Sequence, residues 1–387
     1  MAYYIGMNRK ARLAYGFDEV ALVPGQRTVN PDEVDITFQL EKNNFQIPII
    51  ASAMDGVVDA KFAIELSGLG GLAILNLEGV QTRYENPNEI LDDIAKSTPE
   101  RATKLLQKLY EPSVQPKLIQ KRIEEIKKAG GVAGVSATPQ KAEEYYNYAI
   151  ESGVDVFVVQ STVATVRHIS TAYKTLDLAA FCKNAKVPII VGNSVTFEMA
   201  LELMAAGPSA LLIGIGPGAA CTTRGVLGIG VPQVTATVDS AAARDLFFKQ
   251  SGRYVPIITD GGMTSGGDIC KAFASGADAV MIGSAFAKAK EAPGRGFHWG
   301  MATPHSNLPR GTRIEVGITS SLEQILFGPA TLDNGTQNIV GAIRTCMGSV
   351  GAKNIKEFQM TELIIAPAIK TEGKLAQRTQ HIGMGKN

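Results

Sequence analysis

Short runs of consecutive apolar residues, rich in Val and Ile, recur along the chain, and each ends in glycine or a small polar residue. They read IPIIAS (47–52), LAIL (72–75), VAGVSA (132–137), VDVFVVQ (154–160), VPIIVG (187–192), ALLIGIG (210–216), VPIITDGG (255–262) and AVMIGS (279–284). Strict alternation would describe a sheet with one wet face, whereas consecutive apolar positions describe strands buried on both faces, as in a parallel sheet. Helical stretches separate the runs. Thr196 to Ala206 places Met199, Leu203 and Met204 on one stripe, and Asp268 to Ser275 opens with Asp268 as an acidic N-cap candidate. Alternating strand and helix with right-handed crossovers predicts an α/β fold, and eight repeats predict a (β/α)8 TIM barrel, one domain over residues 1–387.

Three segments break the repeat. Residues 1–46 form an N-terminal extension. Residues 85–128 are charge-rich with helical periodicity, a long connection between the second and third strands. Residues 287–337 hold His298, Trp299 and His305 among many Gly and Pro with little periodicity, and a loop of that length predicts an active-site flap.

The charge balance, 38 basic against 37 acidic residues, gives no footprint for nucleic acid or an anionic membrane. No run is apolar for the roughly 20 residues a membrane span requires, and the N-terminus has no signal-peptide pattern, so a cytoplasmic location is expected. The four cysteines stand far apart without CxxC pairs or a His at metal-ligand spacing, so neither a disulfide framework nor a zinc site is suggested. Cys182, Cys270 and Cys346 lie in helical patterns and read as core. Cys221 instead follows an apolar run, between glycines and polar residues, where a nucleophile is the better account.

In a parallel barrel, chemistry gathers at the C-terminal ends of the strands. Here those ends carry Ser52-Ala53-Met54-Asp55, Gln160-Ser161-Thr162, Gly192-Asn193, the loop from Gly214 to Arg224, Asp260-Gly261-Gly262 and Gly283-Ser284. Glycine turns after strands seven and eight suit phosphate, making Gly262, Gly283 and Ser284 its candidates, with Asp260 placed to accept hydrogen bonds from ribose hydroxyls. Gly214-x-Gly216-x-x-Ala219 has the spacing of a dinucleotide fingerprint, but the Gly and Pro that follow cannot open the helix such a turn needs.

The segments SAMD, GIGPGAACTTR, DGG followed by DICKAFASGADAVMIGS, and RTCMGSVGAKNIKEF, in this order and with FDEVALVPG before them, resemble the IMP dehydrogenase/GMP reductase family. The resemblance implies that Cys221 attacks C2 of a purine nucleotide and that Thr223 positions the incoming water or leaving amine. It implies nucleotide contacts from Ser52, Met54 and Gly218, ribose binding by Asp260, and phosphate binding by Gly262, Gly283 and Ser284. It places Gln160, Ser161, Thr162, Asn193, Gly214 and Gly216 at the NAD cofactor, and the carbonyls of Gly216, Gly218 and Cys221 around a monovalent cation such as K+. It also implies a homotetramer or octamer.

Several positions depart from the family pattern. Gln160 stands where the dehydrogenases carry Asp, Ala219 and Pro217 stand where they carry serines, and no tyrosine occurs between Phe286 and Lys353, so their Arg-Tyr water-activating pair has no counterpart. Arg310, Arg313, Glu315 and His298 in the flap are the candidate replacements. The connection from 76 to 131 is too short for the tandem cystathionine-β-synthase regulatory module. NAD-dependent IMP oxidation is the leading expectation; NADPH-dependent GMP reduction, a flavin-dependent barrel and a non-catalytic nucleotide-binding paralogue stay open.

Overall fold

The computed structural model describes residues 3–301 and 311–385. All eight apolar runs are strands of one closed parallel barrel: β1 (Ile49–Ala51), β2 (Leu72–Asn76), β3 (Gly134–Ala137), β4 (Val156–Gln160), β5 (Ile189–Ser194), β6 (Ala210–Ile213), β7 (Ile257–Asp260) and β8 (Ala279–Ile282). The ring closes where β8 pairs β1, with Val280 beside Ile49 and Ile282 beside Ala51.

Successive residues of each strand enter different cores, which is why the runs show no alternation. Ile50, Leu72, Ile74, Val156, Val158, Leu212, Ile258 and Met281 fill the barrel interior. Their neighbours Ile49, Ala73, Leu75, Phe157, Val159, Leu211, Ile257 and Val280 pack outward against the helices. Part of the N-terminal extension joins the inner cluster. Its hairpin, Phe38–Leu40 against Asn43–Phe45, adds Phe38, Leu40 and Phe45 just before β1, and so plugs the N-terminal end of the barrel.

Two local expectations need correction. The helix after β7 runs Gly266–Ala274 and its N-cap is Ser265, whose side chain accepts from the Asp268 amide; Asp268 lies in the first turn and accepts from Thr264. The segment 287–337 is not structureless. It carries an antiparallel pair, Phe297–Trp299 with Arg313–Glu315, and a helix, Leu322–Phe327. Its apolar residues escape a periodicity search because they divide between two cores: Leu322, Ile325 and Leu326 join the main core around the barrel, whereas the hairpin packs on the connection after β2. That connection consists of helices Pro87–Lys96, Pro99–Leu109 and Pro116–Lys128. Leu91, Ile94, Leu106 and Tyr110 from it bury Trp299, with Phe297 and Met301 alongside, in a separate small core.

Candidate active site

A cavity of about 630 Å³ opens at the C-terminal mouth of the barrel. Ser52, Met54, Gly218, Asp260, Gly262, Gly283 and Ser284, expected at the nucleotide, line it. So do Gln160, Ser161, Thr162, Asn193, Gly214 and Gly216, expected at the cofactor, together with Cys221 and Thr223. Chain separation is erased here because these residues lie at the C-terminal ends of the strands or in the loops that follow them.

Cys221 is partly exposed, with its Sγ 3.2 Å from the Oγ1 of buried Thr223, which opens the short helix Thr223–Leu227. The Cys221 amide donates to the Gly218 carbonyl at 3.0 Å and closes the turn that presents the thiol. Arg224 braces the same loop by donating to the Val231 carbonyl at 2.9 Å. The other three cysteines lie in helices Leu178–Asn184, Gly266–Ala274 and Ile339–Val350. Burial pushes the Cys182 thiol up to about 11, far from a nucleophile's range.

Asp260 is the electrostatic centre of the same cavity. Its Oδ2 accepts from Asn193 Nδ2 at 2.8 Å and from Gln160 Nε2 at 3.3 Å, and Gln160 also donates to Asn193 Oδ1 at 3.1 Å. Desolvation by burial raises its carboxyl to about 6, against the opposing pull of the Asn193 hydrogen bond. Gln160 and Asn193, expected at the cofactor, are therefore wired first to the carboxylate. Close approach explains two glycines. A Cβ at Gly214, whose φ is +146°, would meet the Asp260 carbonyl at 2.3 Å, and one at Gly283 would meet Met54 Sδ at 2.9 Å. Beneath Asp260, buried Gln233 donates to the carbonyls of Ile213 (2.6 Å) and Asp260 (3.2 Å). No sequence signal marked Gln233, because its role exists only once β6 and β7 are side by side.

The flap candidates separate. Arg313 does not line the cavity. Its guanidinium donates to the carbonyls of Ile94 (2.7 Å), Ala95 (3.1 Å) and Ser97 (2.8 Å), capping helix Pro87–Lys96, and lies 4.4 Å from the Phe297 ring. Glu315 is exposed beside a shallow cleft with Arg313 and Thr312. Neither stands with Thr223, and Arg310 lies outside the described residues. His298 is no surface flap residue: it is buried, lines the cavity, and its Nε2 is 3.1 Å from Ser284 Oγ. Gly300 and Gly311, at the base of the hairpin, pack on the Ala220 carbonyl beside Cys221.

A second buried cluster ties the hairpin to the barrel. Asp55, after β1, accepts from the Val80 amide (2.7 Å) and the Tyr110 hydroxyl (2.5 Å), and Trp299 Nε1 donates to Tyr110 at 2.8 Å. Among the described residues no three His, Cys, Asp or Glu side chains gather as a metal site, and no helix is long and apolar enough to cross a membrane.

Fold and site together define a (β/α)8 barrel with a thiol-bearing loop at a polar mouth. The family model of the IMP dehydrogenase / GMP reductase domain matches residues 14–375, and the chain belongs to that family. An uncharacterized oxidoreductase of Mycolicibacterium smegmatis is 37% identical over 370 residues, covering 93% of this chain and 99% of that protein. The inosine-5'-monophosphate dehydrogenase of Borreliella burgdorferi is 32% identical, covering 92% and 95%. The crystal structure of an IMP dehydrogenase/GMP reductase-like protein from Corynebacterium glutamicum superposes with a TM-score of 0.89 at 33% identity, covering 94% of this chain and 97% of that one. Between β2 and β3 the described chain holds the three α-helices and a short 3-10 turn, Val80–Thr82, with no inserted regulatory domain.

Proposed function

We propose that the chain is a nicotinamide-dependent oxidoreductase of purine nucleotides that works through a covalent bond between Cys221 and C2 of a 6-oxopurine ring. The observation that carries this reading is the Cys221–Thr223 pair, 3.2 Å apart, on a cavity wall shared with Asp260, Gly283 and Ser284. The cavity lies within the range of about 300–1,000 Å³ typical of ligand sites. Asp260, already holding two amide donors on Oδ2, keeps Oδ1 for a ribose hydroxyl. The turns at Gly262 and Gly283, with Ser284, offer donors to the 5′-phosphate.

The far wall has room and chemistry for a dinucleotide. Ser161 and Thr162 line it, and the rings of His168 and Tyr173 stack at 5.9 Å with the His Nε2 2.7 Å from the Tyr hydroxyl. A bound nicotinamide supplies the hydride acceptor or donor. The chain's own part is nucleophilic: the Cys221 thiolate adds to C2, and loss of hydride from that carbon leaves a thioimidate. Thr223 orients the water that hydrolyses it, yielding XMP and free thiol. The carbonyls of Gly216, Gly218 and Cys221 would hold the expected monovalent cation, the Gly218 oxygen using the lone pair left over from the Cys221 amide. No step here runs through it.

The same residues serve the reverse sense, reduction of GMP to IMP with loss of ammonia. IMP oxidation is the activity in the name of the Borreliella relative. Among the described residues Arg313 and Glu315 stand outside the cavity, so neither activates water for hydrolysis nor assists loss of ammonia from GMP, and the site favours neither direction by this feature. Pure protein incubated with IMP and NAD+, and separately with GMP and NADPH, decides the direction by XMP or ammonia release. Absence of both, or turnover by Cys221→Ala, refutes the covalent reading.

A further inference from the structure

Resting on the nucleotide reading, we propose that His298 is a positioning residue of the phosphate subsite, donating from Nε2–H to Ser284 Oγ so that the serine hydroxyl must present its proton to the anion. The cavity wall explains why hydroxyl direction matters. Its one Lys or Arg among the described residues is Arg83, whose Nε is spent on the Glu78 carbonyl at 3.1 Å and whose guanidinium lies over the Tyr110 ring. A phosphate at Gly283-Ser284 is thus recognised by neutral donors, and a serine turned the wrong way would meet it with lone pairs.

His298 is 1% exposed, and its Nδ1 has no partner among the described residues. Burial lowers the ring to about 4, so it is neutral near pH 7 and carries one N–H. Placed on Nδ1, that proton would be an orphaned buried donor while the ring turned Ser284 away from the cavity. Placed on Nε2, it is satisfied by Ser284 Oγ at 3.1 Å. The backbone fixes the ring there: a Cβ at Gly56 would meet the His298 Cα at 2.9 Å and the Phe297 carbonyl at 2.6 Å, so the hairpin strand sits directly on the turn after β1.

The test joins spectroscopy of the wild type with two variants. Long-range 15N–1H correlation of the His298 ring should show the Nε2-protonated tautomer; an Nδ1-protonated ring overturns the proposal whatever the variants do. By calorimetry, His298→Phe should weaken IMP about tenfold to a hundredfold and leave inosine, which lacks the phosphate, unchanged, while His298→Gln, which keeps a donor, stays near wild type. Equal losses for IMP and inosine, or no loss for either, overturn it. Inorganic phosphate is the third probe. If wild type binds phosphate, His298→Phe loses it, and neither IMP nor inosine binds, the purine reading fails and the role of His298 stands.

Discussion

Asp260→Asn isolates the electrostatic cost of this site. Folding lifts the carboxyl from 3.8 to about 6 by desolvation, so the folded protein prefers the protonated acid. Ionisation therefore costs nothing below about pH 4, the cost grows between there and pH 6, and it is complete above. The difference between the two values corresponds to on the order of 3 kcal/mol. Asparagine keeps an oxygen to accept from Asn193 and Gln160 and loses only the charge. The variant should then be more stable than wild type at pH 8, by about 1–3 kcal/mol after allowance for residual solvation. The gap should narrow at pH 5 and vanish near pH 4. Urea denaturation at the three pH values measures it. Nucleotide affinity should move the other way, falling about tenfold as the ribose bond to a carboxylate becomes a neutral one. A stability difference that is absent at pH 8, or flat with pH, would refute the claim that this carboxylate is held against its desolvation cost.

Four further outcomes follow from named contacts. Cys221→Ser should lower turnover at least about a thousandfold while calorimetry shows IMP binding retained. Gln160→Asp, which sets a second carboxylate where an amide donates to Asp260 at 3.3 Å, should destabilise the protein by about 1–3 kcal/mol at pH 8 and regain stability toward pH 5 in urea titrations. Arg313→Ala frees the carbonyls of Ile94, Ala95 and Ser97 and should lower stability by about 1–3 kcal/mol; unchanged thermal unfolding would deny its capping role. Gly214→Ala drives a methyl to 2.3 Å from the Asp260 carbonyl, and should cost more than about 2 kcal/mol or displace Asp260 enough to abolish nucleotide binding.

Much of this molecule is legible in one dimension. Each barrel strand declares itself because the ring buries both of its faces, so Val156 to Val159 reads as apolar without help from any neighbour. The same logic makes the residue after each run worth inspecting, and that rule located Cys221, Asp260 and Ser284 on one cavity wall. The flap is less legible for a matching reason. Arg313 and Glu315 are polar residues in an aperiodic stretch, and nothing local distinguishes a residue that reaches the thiol from one that caps a helix more than 200 positions earlier.

What the sequence determined by itself, then, is the barrel, the loop that carries the thiol and the strand ends that face it, because burial on both faces and the glycine turns are properties of short segments. Only the tertiary structure decided who partners whom: that Gln160 and Asn193 serve Asp260, that Arg313 belongs to the helices after β2, and that His298 is buried against Ser284. Those pairings depend on closure of the ring and on the hairpin docking over its mouth, and desolvation at that mouth sets the charge state of Asp260 and His298.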